Sequence, residues 1–307
     1  CDNIDVFGGV LVGDGVNRDG ALSTIQIGWS FGNEPGAYVQ AVRVHDVWVT
    51  DANQGFRFAA GTGVGSGPCQ NVKVINCHAR NSVGLVGGAG YGFVFSQASF
   101  SSIVQSSADN CQRHGIYFAE GRNYTASSCL IRNHRSTVYS AAYRVAFSIS
   151  RSRNVTVEGC VFDNCYDGTV EIDVDTQGTA PDNVSIGTVL SNCVFLGSAL
   201  ADIRIGTVPA IDGVVSDVVV SNCVMVRPSS NSISSITIEG GDRIKIDGCL
   251  IDGSGTASSR AITLNGTSGA TYTDDVTITN NQISGWDYGV QFESVLLTGA
   301  SKIQVFN

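Results

Sequence analysis

The sequence predicts an all-β solenoid of about ten stacked coils, each built from three short strands joined by tight corners. The first observation is alternation. In residues 154–175, NVTVEGCVFDNCYDGTVEIDVD, Val155 and Val157 alternate with polar neighbours, a polar corner follows at Glu158 and Gly159, and Cys160 and Phe162 lead to a third run, Val170 to Val174. Side chains change face at every residue of a strand, so such runs read as strands with one buried face. The second observation is recurrence. Positions equivalent to Cys160 fall at Gly9, Val47, Cys77, Ser106, Cys129, Cys193, Cys223, Cys249 and Asn281, a spacing of roughly 23 to 38 residues that marks a repeat architecture. The third is a fixed offset: Phe95, Phe118, Ile149 and Ile238 each precede the next anchor by eleven residues, which confines the insertions to particular corners. One coil cannot bury its own apolar face and needs a copy above and below.

The coils follow in order. Each opens on an alternating run: Ile4 to Val6, Val42 to Val44, Val72 to Val74, Val184 to Ile186, Val218 to Val220, Ile244 to Ile246 and Val276 to Ile278. A third strand recurs as Gly55 to Phe58, Gly92 to Phe95, Gly115 to Phe118 and Gly289 to Phe292. Coil one carries an insertion at 13–36 with its own third strand at Ile25 to Ile27 and a loop bearing Glu34. That loop is suited equally to walling a groove, covering the first coil or meeting a neighbouring chain. Asp14 and Asp19 are compatible with calcium, but Asp and Gly mark turns far more often. The Gly-rich run 61–67 lacks the following helix and Lys of a phosphate loop. Coil five carries an insertion, 133–144, rich in His, Arg and Tyr and ending at Arg144; later insertions at 228–234 and 266–274 read as solvated loops.

Composition sets the outer limits. The 307 residues, 43% hydrophobic with 37 Gly and five Pro, are expected to form a single domain over 1–307, cut from a longer chain at both ends. No run of eighteen apolar residues exists, so no membrane insertion is expected. The formal net charge of −9 disfavours nucleic acid. Of ten cysteines, Cys77, Cys129, Cys160, Cys193, Cys223 and Cys249 share the anchor position. Stacked about 4.8 Å apart they are too distant for disulfides and read as small apolar plugs. No metal-ligand spacing is present, and no metal or cofactor is expected. Unpaired thiols point to assembly in a reducing compartment.

The pattern N-V-x-I-x-(N/G)-(N/C)-x-(I/F)-x-N followed by G-(I/F)-x-(L/F) resembles the right-handed, single-stranded parallel β-helix of the pectate-lyase-like superfamily. Within it, the opening Asn3 to Gly15 and the coil Arg113 to Phe118 are most similar to phage tailspike depolymerases. The resemblance implies a depolymerase of a bacterial surface polysaccharide, a homotrimer, and residence in the virion tail with assembly in bacterial cytoplasm; a secreted bacterial enzyme is the alternative. The fold alone does not select an activity.

In the resembled family the working surface is often the outward face of the third strand. Its central row is expected to read Gln26, Arg57, Val94, Tyr117, Ser148, Asp173, Arg204, Thr237, Thr263 and Gln291. Alternation exposes Glu171 with Asp173 and Asp202 with Arg204, so in-register coils are expected to bring Glu171 against Asp202 and Asp173 against Arg204. Like charge raises one carboxyl pKa while the arginine keeps its neighbour ionised, the combination glycoside hydrolysis requires. Glu171, Asp173 and Asp202 are therefore the catalytic candidates. A pair about 5 to 5.5 Å apart retains configuration and one about 6.5 to 9.5 Å apart inverts it; Glu171 with Asp202 suits the first and Glu171 with Asp173 the second. Tyr117, Arg204, His114, Glu120, Arg144 and Arg57 are the substrate-binding candidates. A Tyr or His base with an Arg neutralising a uronate makes a lyase instead, and a non-catalytic adhesin or shaft is the third reading.

Overall fold

A computed structural model describes residues 2–13, 23–27, 37–59, 66–83, 90–134, 145–166, 168–174, 183–198, 200–206, 214–227, 234–253, 259–265, 273–293 and 302–306. Its described residues form strands and no helix, arranged in a twenty-stranded and a ten-stranded sheet. Every strand pairing among them is parallel, each strand bonding its counterparts in the neighbouring coils. The chain is thus the all-β parallel solenoid that the repeat predicts. No described helix is long and apolar enough to cross a membrane.

One circuit shows the logic. Arg153–Glu158 runs straight, Gly159 turns the corner at φ +59°, Val161–Asp163 follows, and Val170–Asp173 joins the ten-stranded sheet. The bend at that corner is one left-handed residue in successive coils: Asn76, Gln105, Ser128, Gly159, Asn192, Asn222, Gly248 and Asn280. Glycine pays no Cβ penalty there and Asn tolerates the conformation better than other side chains. Each of these residues still donates its backbone N–H to a carbonyl of the following coil, as Asn192 does to Ser221 O at 3.1 Å. The corner therefore turns the chain without orphaning a backbone donor.

Inside, like stacks on like. Phe56 lies on Phe93 with ring centroids 4.7 Å apart and Phe162 on Phe195 at 4.9 Å, both pairs nearly parallel. The nine described cysteines are all buried and free. The anchor thiols face carbonyls of the preceding coil: Cys160 Sγ lies 3.8 Å from Ala126 O and Cys193 Sγ 3.6 Å from Val157 O. They plug the corner, and the S–H, a weak donor, finds a carbonyl acceptor. Where Asn281 takes the position, its amide donates to Ile246 O at 3.1 Å, which is the same contact in a more polar form.

Because each aromatic rung is held on both sides, the cavity left by truncation cannot collapse. Phe162→Ala is expected to cost about 3–5 kcal/mol, read as a lowered urea midpoint with an unchanged slope.

Candidate functional site

The outward face of the ten-stranded sheet carries two rows of side chains. The first runs Arg57, Val94, Tyr117, Ser148, Glu171, Arg204, Thr237, Thr263 and Gln291. It matches the sequence-derived row at every described coil but one, where Glu171 stands in place of Asp173. Asp173 is two residues further along its strand, beside Ser150 in the second row.

The expected contact between Glu171 and Asp202 does not form. Glu171 pairs in register with Arg204, and Asp202 is fully buried. The register is offset by two residues from the expected one, Val170 pairing with Ile203 and Glu171 with Arg204. Asp202 precedes the strand Ile203–Ile205, where alternation does not apply, and its N–H and that of Ile203 both donate to Ser235 O, at 2.8 and 3.0 Å. It therefore does not share the face of Arg204 and is buried, as Thr169 is at the same corner of the preceding coil. Asp202 instead accepts a hydrogen bond from Arg227 Nε at 3.2 Å and another from the Ser235 hydroxyl. The Arg227 guanidinium lies 5.8 Å from the Trp286 ring. Burial raises the Asp202 pKa, opposed by Arg227 and by hydrogen bonds from Ser198 and Ser235. Contrary to the expectation from alternation, Asp202 is a buried ion-pair partner of Arg227 and does not reach the outer face.

On the outer face Arg204 is clamped by two glutamates. Its Nη1 donates to Glu171 Oε1 at 3.0 Å, while Nε and Nη2 both donate to Glu239 Oε2, at 2.8 and 2.7 Å. The Glu171 side chain is 8% exposed and that of Arg204 24%. Burial pushes the Glu171 pKa up and the Glu239 charge adds to this, with Arg204 pulling the other way. Burial also works on Arg204, but the charges of Glu171, Glu239 and Asp173 outweigh it and raise its pKa. Glu239 escaped the sequence reading because it follows the short strand Ile236–Ile238. The signal was available: it lies two residues beyond the outward Thr237, hence on the same face.

The remaining candidates are dispersed. Tyr117 is two strand spacings from Glu171, about 9.6 Å at the backbone, and Arg57 four, about 19 Å. Tyr117 stacks with Tyr91 at 5.7 Å and with His114 at 5.1 Å, and Arg113 sits 5.0 Å from the Tyr91 ring. His114 is buried, which lowers its pKa to about 3 despite a 2.8 Å contact between Nδ1 and Val145 O. It is a neutral support for Tyr117, ill-suited to exchanging protons with a sugar near neutral pH. Glu120 lies at a left-handed corner, bound by Arg151 and, at 2.7 Å, by Gln97. Arg144, Glu34, Asp14 and Asp19 lie outside the described residues.

Comparison with known proteins gives matches for the fold. The family described as the right-handed β-helix region matches residues 33–186. Among solved structures, the tailspike of Escherichia coli bacteriophage HK620 in complex with pentasaccharide aligns at a TM-score of 0.65 and 12% identity, over 97% of this chain and 59% of its own. The catalytic unit of an α-1,3-glucanase from Streptomyces thermodiastaticus aligns at 0.63 and 13%, over 100% and 55%. ORF18 of Geobacillus virus E2 aligns at 0.59 and 15%, over 95% and 54%. The chain therefore spans between half and two thirds of each of these proteins. No curated protein matches by sequence.

Removing Asp202 leaves Arg227 buried with its principal counter-charge gone. Asp202→Asn is expected to cost about 3–5 kcal/mol, measured by chemical denaturation.

Proposed function

The chain belongs to the right-handed β-helix family, and on that scaffold we propose that the outward face of its ten-stranded sheet binds and hydrolyses a polysaccharide, with Glu171 as the general acid. The observation that carries this is the Glu171 carboxyl: it is nearly buried, its pKa is raised, and it sits on an outer face beside Asp173 and the Arg204–Glu239 pair. A carboxyl that stays protonated next to carboxylates that ionise is what glycoside cleavage needs. Supporting the reading, the similar solved structures include a glucanase catalytic unit and a tailspike holding a pentasaccharide.

Asp173 is assigned the general base. Glu171 and Asp173 are two residues apart on one strand, about 6.5 to 7 Å at the backbone. That spacing favours a water between them and inversion at the anomeric carbon, for which the carboxyls stand about 6.5 to 9.5 Å apart. Glu239 accepts two hydrogen bonds from Arg204 on one oxygen, so its role is to hold the guanidinium. Arg204 in turn positions Glu171. Tyr117, stacked on Tyr91 and His114, offers an aromatic surface for a sugar two coils away. An Arg already bonded to Glu171 and Glu239 is poorly placed to neutralise a uronate, which favours hydrolysis over elimination. The substrate class is a bacterial surface glycan, cut by a tailspike-type assembly of three chains at the phage tail.

Incubation with capsular or lipopolysaccharide glycan is expected to release reducing ends with no ultraviolet absorbance from an unsaturated uronate; that absorbance would make the protein a lyase, and neither signal would leave a binder. Glu171→Gln is expected to lower kcat by about 10²–10⁴, whereas Asp202→Asn, assayed where it remains folded, keeps its kcat. The acid must be protonated, so kcat falls as pH rises through the elevated Glu171 pKa.

A further inference from the structure

The twenty-stranded sheet carries a second polar surface, on a face separate from the acidic one. Strands Arg122–Ser127, Arg153–Glu158 and Val184–Ser191 lie side by side there. Their outward side chains line a groove of about 300 Å³ bounded by Asn123, Thr125, Asn154, Thr156 and Gly187, with Tyr124 beneath. The amides form a ladder, Asn154 Nδ2 donating to Asn123 Oδ1 at 3.1 Å. Gly187 keeps the third rung open, since a Cβ there would come 3.0 Å from Asn154 Oδ1.

Immediately before those two asparagines stand Arg122 and Arg153, exposed and paired in register on adjacent strands. Like charges directly opposite one another on neighbouring strands are destabilising, and no ion pair relieves either residue among the described residues. The carboxylate nearest in sequence, Glu120, is occupied by Arg151 and Gln97. The Arg122 guanidinium lies 5.5 Å from the ring of Phe100, which is 46% exposed. The pair is thus a local positive spot among the described residues of a chain whose formal net charge is −9.

We propose that this surface is a second glycan subsite that binds an anionic sugar unit. Arginines paired in register on neighbouring strands can close together on one carboxylate, phosphate or sulfate group, which a guanidinium meets bidentately. The Phe100 ring offers an apolar surface for the C–H face of the sugar. The asparagine and threonine groups of the groove both donate to and accept from hydroxyls of the neighbouring units. The subsite shares with the function proposed above only the glycan nature of the ligand, and its binding is read without turnover.

The test is affinity electrophoresis through gels containing polygalacturonate, a glycerol-phosphate teichoic acid, or dextran. An acidic protein is repelled by a polyanion unless a local site captures it. The wild-type chain is expected to be retarded by at least one anionic gel and not by dextran, with retardation fading as salt rises; uronate and phosphate gels separate the two sources of charge. Arg122→Ala with Arg153→Ala should weaken retention about tenfold or more, the paired Lys variants should keep part of it, and Thr125→Val with Thr156→Val should weaken it with the charge unchanged. Equal retardation of the double Ala variant, or no retardation of the wild type in either anionic gel, overturns the subsite. Retardation is scored against a polymer-free gel and without turnover, so a failed cleavage assay and a failed subsite are distinguishable.

Discussion

The structure depends on the parallel hydrogen-bond ladder that ties each coil to the next. A ladder of this kind is satisfied only if successive coils stay in register through straight runs and corners alike, because a corner that missed its partner would strand a backbone donor away from water. The single left-handed residue at the bend meets that requirement, and Asn192, Asn222 and Asn280 meet it at positions where Gly159 and Gly248 do so in other coils. Once register is fixed, everything else stacks: phenylalanine on phenylalanine, thiol on carbonyl, amide on amide.

Stacking also decides what a charged residue experiences. Two carboxylate–arginine clusters lie near one another in sequence but in different surroundings. Asp202 and Arg227 are both inside, at 0% and 2% side-chain exposure, where they hold each other and the Ser235 hydroxyl donates to Asp202. Such a pair contributes little net stability beyond what apolar residues of similar volume would give, yet removing one partner is costly. Glu171, Arg204 and Glu239 are at the outer face, partly shielded, with one cation shared between two anions. Burial first, and the charge of Glu239 after it, raise the Glu171 pKa against the pull of Arg204. The inner cluster is closed off by the core, whereas the outer one meets solvent through Arg204.

The opposite electrostatic arrangement occurs around Arg122 and Arg153. There the ladder brings like positive charges together, with no ion pair to either among the described residues. A solenoid has no single active cleft by necessity, since every sheet presents its own rows of outward side chains. Different faces of one rod can therefore carry different charge, and a long glycan chain is the kind of ligand that spans more than one of them.

The sequence by itself determined the architecture and most of the outer row. A period of two along the strand and a recurring anchor leave little freedom, and Arg57, Val94, Tyr117, Ser148, Arg204, Thr237, Thr263 and Gln291 fall where alternation places them. It also identified Glu171 and Arg204 as outward-facing, though it paired them with the wrong neighbours. Only the tertiary structure decided that Asp202 turns inward, that Glu171 meets Arg204, and that Glu239 completes the cluster. The physical reason is that alternation fixes only which face a strand residue takes, whereas the register of one coil on the next depends on the corners between them: Val170 pairs with Ile203, two residues on from the expected partner, and Asp202 falls before its strand, in the corner. Such a register is set by the neighbouring coil, about thirty residues away, and leaves no mark in the pattern of the strand itself.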